Sequence, residues 1–210
     1  MGLKAINHLA FITDDLEKTI RFYRDLLGLP LSAGIGHDGY RHYFFKLGQH
    51  DHIAFFEYEG ASPMERKFPG VRTEKPLGFD HVSFTVDSLE ELLVFKQKLE
   101  AAELDVHGVV DHGIMMSIYF YDPNNIPLEI TWDCVDLLDH PAIVDDAPLP
   151  IAAEGSEPQP GHWPTTNTPV SLDGFAPRPG NGHAMRAAFV AENKAKPKDA
   201  LVKVLGSEET

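Results

Sequence analysis

The chain has 210 residues, 43% of them hydrophobic, enough for one domain with an extension or for two small domains. Its formal net charge of -14 argues against nucleic acid or an anionic membrane as the main partner. A single cysteine, Cys134, excludes an intrachain disulfide, and no apolar run approaches the ~20 residues needed for a membrane-spanning helix. The opening MGLKAINHLAF lacks the apolar core and cleavage site of a signal peptide, so a cytoplasmic setting is expected.

Residues 6–13 are short, apolar and rich in β-branched side chains, and read as a strand. Asp14 and Glu17 then form a D-x-x-E helix start. Leu16, Ile20, Tyr23 and Leu27 follow at helical spacing, and Gly28 ends the helix. Residues 40–47 and 53–58 read as strands around a turn at 48–51. Residues 60–77, with Gly, Pro and charges, read as a linker. Residues 79–86 begin the order again as a strand, and Ser88 and Glu91 open a second helix carrying Leu89, Leu92, Leu93, Phe95 and Leu99. Strands over 114–121 and 126–132 flank the turn Asp122-Pro123-Asn124-Asn125. One weaker strand per half falls within 31–35 and within 106–110.

The two halves are copies. A shift of 73 residues superposes His8 on His81, Phe11 on Phe84, Asp14 on Asp87, Glu17 on Glu90 and Leu26 on Leu99. The fold class is therefore α+β. Two paired β-α-β-β-β modules, 4–59 and 78–133, would make a curved eight-stranded sheet around a cleft, in a domain covering 1–134. Nine of the 16 prolines fall between Pro141 and Pro179, so 135–210 is a Pro/Gly-rich extension. It reads either as a solvated tail or as an ordered arm anchored by Trp163, Phe175, Met185 and Phe189, with a short helix within 182–193 that Pro197 limits.

The repeat pairs two potential metal ligands, His8 and His81, and Glu129 stands inside the apolar last strand. An ionisable group there is costly unless it is paired or bound to a metal. Two imidazoles and one carboxylate form a facial triad that suits Fe(II) and also Mn(II).

These residues and their places resemble the vicinal oxygen chelate superfamily over 4–133. That superfamily includes glyoxalase I, extradiol dioxygenases, methylmalonyl-CoA epimerase, fosfomycin-resistance transferases and bleomycin-binding proteins. The resemblance implies a metal held by His8, His81 and Glu129 on strands one, five and eight, and a homodimer. Tyr119 lies ten residues before Glu129, and His112 with Gly113 lies before it, as in extradiol dioxygenases. By that resemblance Tyr119 orients a substrate hydroxyl and His112 acts as an acid. His50 or His52 corresponds to a further histidine beside the metal, and spacing leaves open which.

The function expected is ring cleavage of a small catechol-like aromatic by O2 on Fe(II). Glu57, 49 residues after His8, nearly repeats Glu129, which follows His81 by 48. As a fourth ligand it would point instead to a glyoxalase-like lyase or isomerase on Zn(II) or Ni(II). Asn125 stands where the superfamily turn usually has glycine. His37, His107, His140, His162 and His183 read as exposed loop residues.

Overall fold

The computed structural model describes residues 5–37, 39–72, 79–138, 141–144, 150–161, 164, 167–180 and 182–205. The chain divides into two compact units, Met1–Asp136 and Leu137–Thr210.

In the first unit strand alternation decides what faces the core. The eight strands are β1 (Leu9–Thr13), β2 (Leu31–His37), β3 (Tyr40–Lys46), β4 (His52–Glu57), β5 (Val82–Thr85), β6 (His107–Asp111), β7 (Met115–Tyr121) and β8 (Pro127–Asp133). They form two four-stranded sheets of the same topology, β1-β4-β3-β2 and β5-β8-β7-β6. In each, the first and last strands of the module pair in parallel and the other pairs are antiparallel. The eight expected strands are thus present as two sheets, with β1 and β5 each at a sheet edge.

Leu9, Phe11 and Thr13 stand beside Ile53, Phe55 and Glu57 on one face of the first sheet. Val82 and Phe84 stand beside Leu128 and Ile130 on the matching face of the second. These apolar faces, with Leu16, Tyr23, Leu92 and Leu99 from the helices, belong to one continuous core. Phe22 from module one meets Phe120 from module two, ring centroids 6.5 Å apart. Tyr23 Oη donates to Asp122 Oδ2 at 3.2 Å, so a buried polar bond also joins the modules.

Helix α1 (Leu16–Ile20) starts one residue later than the D-x-x-E pattern suggests. Asp15 is its N-cap, accepting from Lys18 N at 2.9 Å, because Thr13 Oγ1 already takes the Asp15 N–H. The helix then widens into a π-type segment over Arg21–Leu26, with Leu27 N bonded to Phe22 O. The widened turn buries two consecutive aromatics, Phe22 and Tyr23. Gly28 at φ 82° closes it, as expected. Helix α2 (Leu89–Ala101) has the reciprocal cap read from the sequence: Ser88 Oγ accepts from Glu91 N, and Glu91 Oε2 accepts from Asp87 N.

The turn after β7 shows why asparagine is useful there. Asn125 takes φ 61°, and its side chain accepts from Arg66 Nε at 2.8 Å and donates to Met64 O at 2.9 Å. A glycine could make the turn but could not tie down the linker.

In the second unit, α3 (Arg186–Ala191) follows a 3-10 turn at His183–Met185, within the stretch where a helix is expected. A further helix, α4 (Asp199–Leu205), lies beyond Pro197. Trp163, His140 and His162 fall outside the described residues. No helix among the described residues is long and apolar enough to cross a membrane.

Candidate active site

Strand parity puts the chemical side chains on the faces opposite the core. In module two Ser83 and Thr85 stand beside Glu129 and Thr131, and Glu129 is directly opposite Tyr119. Glu129 is only 4% exposed, and His81, just before β5, reaches it: Nε2 lies 2.9 Å from Glu129 Oε2. The other ring nitrogen, Nδ1, lies 2.7 Å from Asp80 Oδ1. Asp80 is itself held by the Lys67 ammonium and by Gly70 N at 2.9 Å. Lys67 first, and then His81 and Gly70, hold the Asp80 carboxyl well below the usual carboxylate range.

Burial opposes the ionised form of Glu129. Interactions with Ser117, Tyr119, Ser83 and His81 outweigh it and leave the carboxyl below its ordinary value. Burial, then Glu129, pushes the Tyr119 phenol up to about 12, so at neutral pH it remains an O–H donor. Its hydroxyl hydrogen-bonds with His112 Nε2 at 2.7 Å. The structure thus brings together His81 with Glu129, and Tyr119 with His112.

Module one carries the other candidates. His8 is exposed, its Nδ1 2.9 Å from Asn7 Oδ1. Its ring neighbours are His42, at 6.1 Å between centroids, and Phe44, at 5.6 Å. His52 opens β4 and its Nδ1 lies 3.1 Å from Asn7 O, beside His8. His50 is exposed in the turn before that strand. His107 is on β6 rather than in a loop, its ring packed against Phe68 at 4.8 Å.

Glu57 is on the opposite face. The one-residue offset turns it toward the helix, where Oε1 accepts from Leu16 N at 3.0 Å and Oε2 pairs with Arg41. The residue that the 73-residue shift aligns with Glu129 is Phe56, stacked on His42 with centroids 3.6 Å apart and planes within 13°. Sequence reasoning missed His42. Its signal is parity alone, since it shares the alternate positions of β3 with Phe44 and pairs with Phe56.

The His81 environment tests whether a metal fits. A neutral imidazole has one N–H. With that proton toward Asp80, the Nε2 lone pair meets a carboxylate oxygen unless a cation lies between. A second ring proton or a divalent metal meets that need. The Asp80 contact is also the outer-shell support that fixes a ligating imidazole. His81 and Glu129 therefore fit as two ligands. His8 does not complete them within one chain: among the described residues no three His, Cys, Asp or Glu side chains are grouped to hold a metal ion.

The profile of the Glyoxalase/Bleomycin resistance protein/Dioxygenase superfamily matches residues 5–130. The metallothiol transferase FosB of Lysinibacillus sphaericus is 28% identical over 145 residues, covering 67% of this chain and 91% of its own. The uncharacterised protein YaeR of Escherichia coli is 28% identical over 142 residues, covering 62% of this chain and 97% of its own. Among solved structures, a glyoxylase/bleomycin resistance protein/dioxygenase domain from Frankia superposes with a TM-score of 0.54 at 22% identity, over 63% of this chain and 99% of that one, a likeness of fold.

Proposed function

Because the chain belongs to the Glyoxalase/Bleomycin resistance protein/Dioxygenase superfamily, we propose that it is a metal-dependent enzyme of the extradiol type, opening a small catechol-like aromatic with O2. The observation that carries this reading is the Tyr119–His112 hydrogen bond on the strand that faces Glu129. The proposed ligands are His8, His81 and Glu129, with His8 supplied by a second copy of the chain.

Two features support a site made by two chains. The faces of β1 and β5 that carry the histidines are open, with Ile12 53% exposed and Ser83 and Thr85 also exposed. Within one chain the modules meet through their core faces instead, at Phe22–Phe120 and Tyr23–Asp122. A twofold axis laying β1 of one copy along β5 of its partner would close two equal sites and pair both bare edges.

A divalent metal held by these residues, Fe(II) in this reading, would supply Lewis acidity toward vicinal oxygens and the capacity to activate O2. The protein supplies orientation and protons. Tyr119, kept as a phenol, donates to a substrate hydroxyl and fixes its angle. His112 would donate a proton as the ring C–C bond breaks, a general-acid role open to an imidazole. His52 or His50, from module one, would stabilise or deprotonate the attacking oxygen. Phe56, at the place that aligns with Glu129, adds no fourth donor, so His8, His81 and Glu129 alone would hold the metal.

A second reading, lyase, isomerase or thiol-transfer chemistry on Mn(II), Zn(II) or Ni(II), draws on the relative named as a metallothiol transferase. It would have to work without Glu57, which is committed to Leu16 and Arg41. Metal analysis of anaerobically purified protein, followed by O2 uptake on a catechol panel, separates the two. Iron or manganese with catechol-dependent O2 consumption is expected. Zinc or nickel with no uptake would contradict ring cleavage and favour the second reading.

A further inference from the structure

His42 is a buried histidine that neither the resemblance nor the spacing selects. It is 6% exposed, and its Nε2 is buried without a hydrogen-bond partner. Its ring is stacked on Phe56, centroids 3.6 Å apart, and tilted against Phe44 at 4.2 Å. These two aromatic neighbours shield the nitrogen from water in the free chain. An unmet polar atom in such a place costs stability. Nothing on the core side is served by it, because His42 stands on the face that carries His52 and, one residue before β1, His8. The His8 ring is 6.1 Å away.

We propose that His42 is a substrate-positioning residue whose Nε2 hydrogen-bonds an oxygen of the ligand bound beside His8. This rests on the metal-site reading above and adds to it a contact from the module-one side, opposite Tyr119. The bound ligand satisfies the orphaned nitrogen, so the free protein carries a cost that the complex relieves. Phe44 and Phe56 cover the imidazole in the free chain and contribute no competing donor, so the ligand reaches Nε2 only as one of these half-buried rings gives way.

The test uses the full chain loaded anaerobically with Fe(II), and 4-nitrocatechol as a chromophoric probe. Wild type, His42→Phe and His42→Gln are compared by metal content, thermal melting without probe, and probe affinity from the absorbance change. His42→Phe should keep its metal, melt higher than the wild type, and bind the probe about tenfold more weakly, the loss of one hydrogen bond. His42→Gln should recover part of that affinity, because its amide restores a polar atom. Unchanged probe affinity in a fully loaded His42→Phe, or melting below the wild type, overturns the assignment. A loaded wild type that does not bind the probe overturns the catechol reading itself, and this inference with it.

Discussion

Asn7 and Asp80 are repeat equivalents, and each holds Nδ1 of the histidine that follows it, at 2.9 Å in Asn7–His8 and 2.7 Å in Asp80–His81. The symmetry of the modules therefore extends beyond the histidines to the groups that orient them. In both, Nε2 is left for another partner. In module one that support is neutral. In module two it is a carboxylate, anchored in turn by Lys67 and Gly70.

Asp80→Ala should weaken metal binding by about 10- to 100-fold, the usual cost of losing a group that orients a ligating imidazole. Competition with a chromophoric chelator measures it. Unchanged affinity would mean that His81 needs no such support.

Tyr119→Phe and His112→Ala should leave metal content near the wild type. Each should lower turnover by about 10²- to 10⁴-fold, the range for removing general acid–base help. Steady-state O2 consumption beside metal analysis tests both. Full activity in either variant removes that residue from the chemistry.

Glu57→Ala should act on stability rather than on the site. The carboxylate takes the Leu16 N–H at the start of α1, and loss of such a capping acceptor costs about 1 kcal/mol. The ion pair with the half-exposed Arg41 adds little. Denaturant melts should show the loss while metal content stays unchanged. A variant with lost metal and unchanged stability would return Glu57 to the ligand set.

Asp122 gives a pH-dependent signature. Burial raises its carboxyl above the ordinary value, against hydrogen bonds from Asn124, Ile126 and Tyr23 that favour the ionised form. The protonated form is thus favoured on folding. That contribution is present below the unfolded value near 4 and is lost as pH rises through the higher folded value. Asp122→Asn has no such titration. Its melting temperature relative to the wild type should therefore climb as pH rises from about 4 to 7. A constant difference across that range would contradict the raised carboxyl.

The repeat made the fold legible. Hydrophobic periodicity found both helices and six strands, and the 73-residue shift implied the matching topology of the sheets. Boundaries moved where local hydrogen bonds competed, as when Thr13 displaced the cap to Asp15. The repeat marked His81 as a candidate, an ionisable group inside an apolar strand marked Glu129, and the ten-residue spacing marked Tyr119. The offset already set Glu57 apart from Glu129, but its face, like that of the missed His42, could not be decided from spacing alone. A one-residue offset reverses which face a side chain occupies, and only the observed register between β3 and β4 decides it. The proposed joining of His8 to His81 and Glu129 is also unreadable locally, since it depends on how whole modules pair.

Subunit complementation tests the central claim most directly. His8→Ala and His81→Ala chains, differently tagged, are co-expressed and the doubly tagged dimer is isolated for metal analysis. If the site joins His8 of one copy to His81 and Glu129 of the other, the mixed dimer regains one intact site and holds about one metal per dimer. Each parent variant alone should hold none. A mixed dimer as empty as its parents, beside a wild type that binds metal, would contradict a site shared between chains.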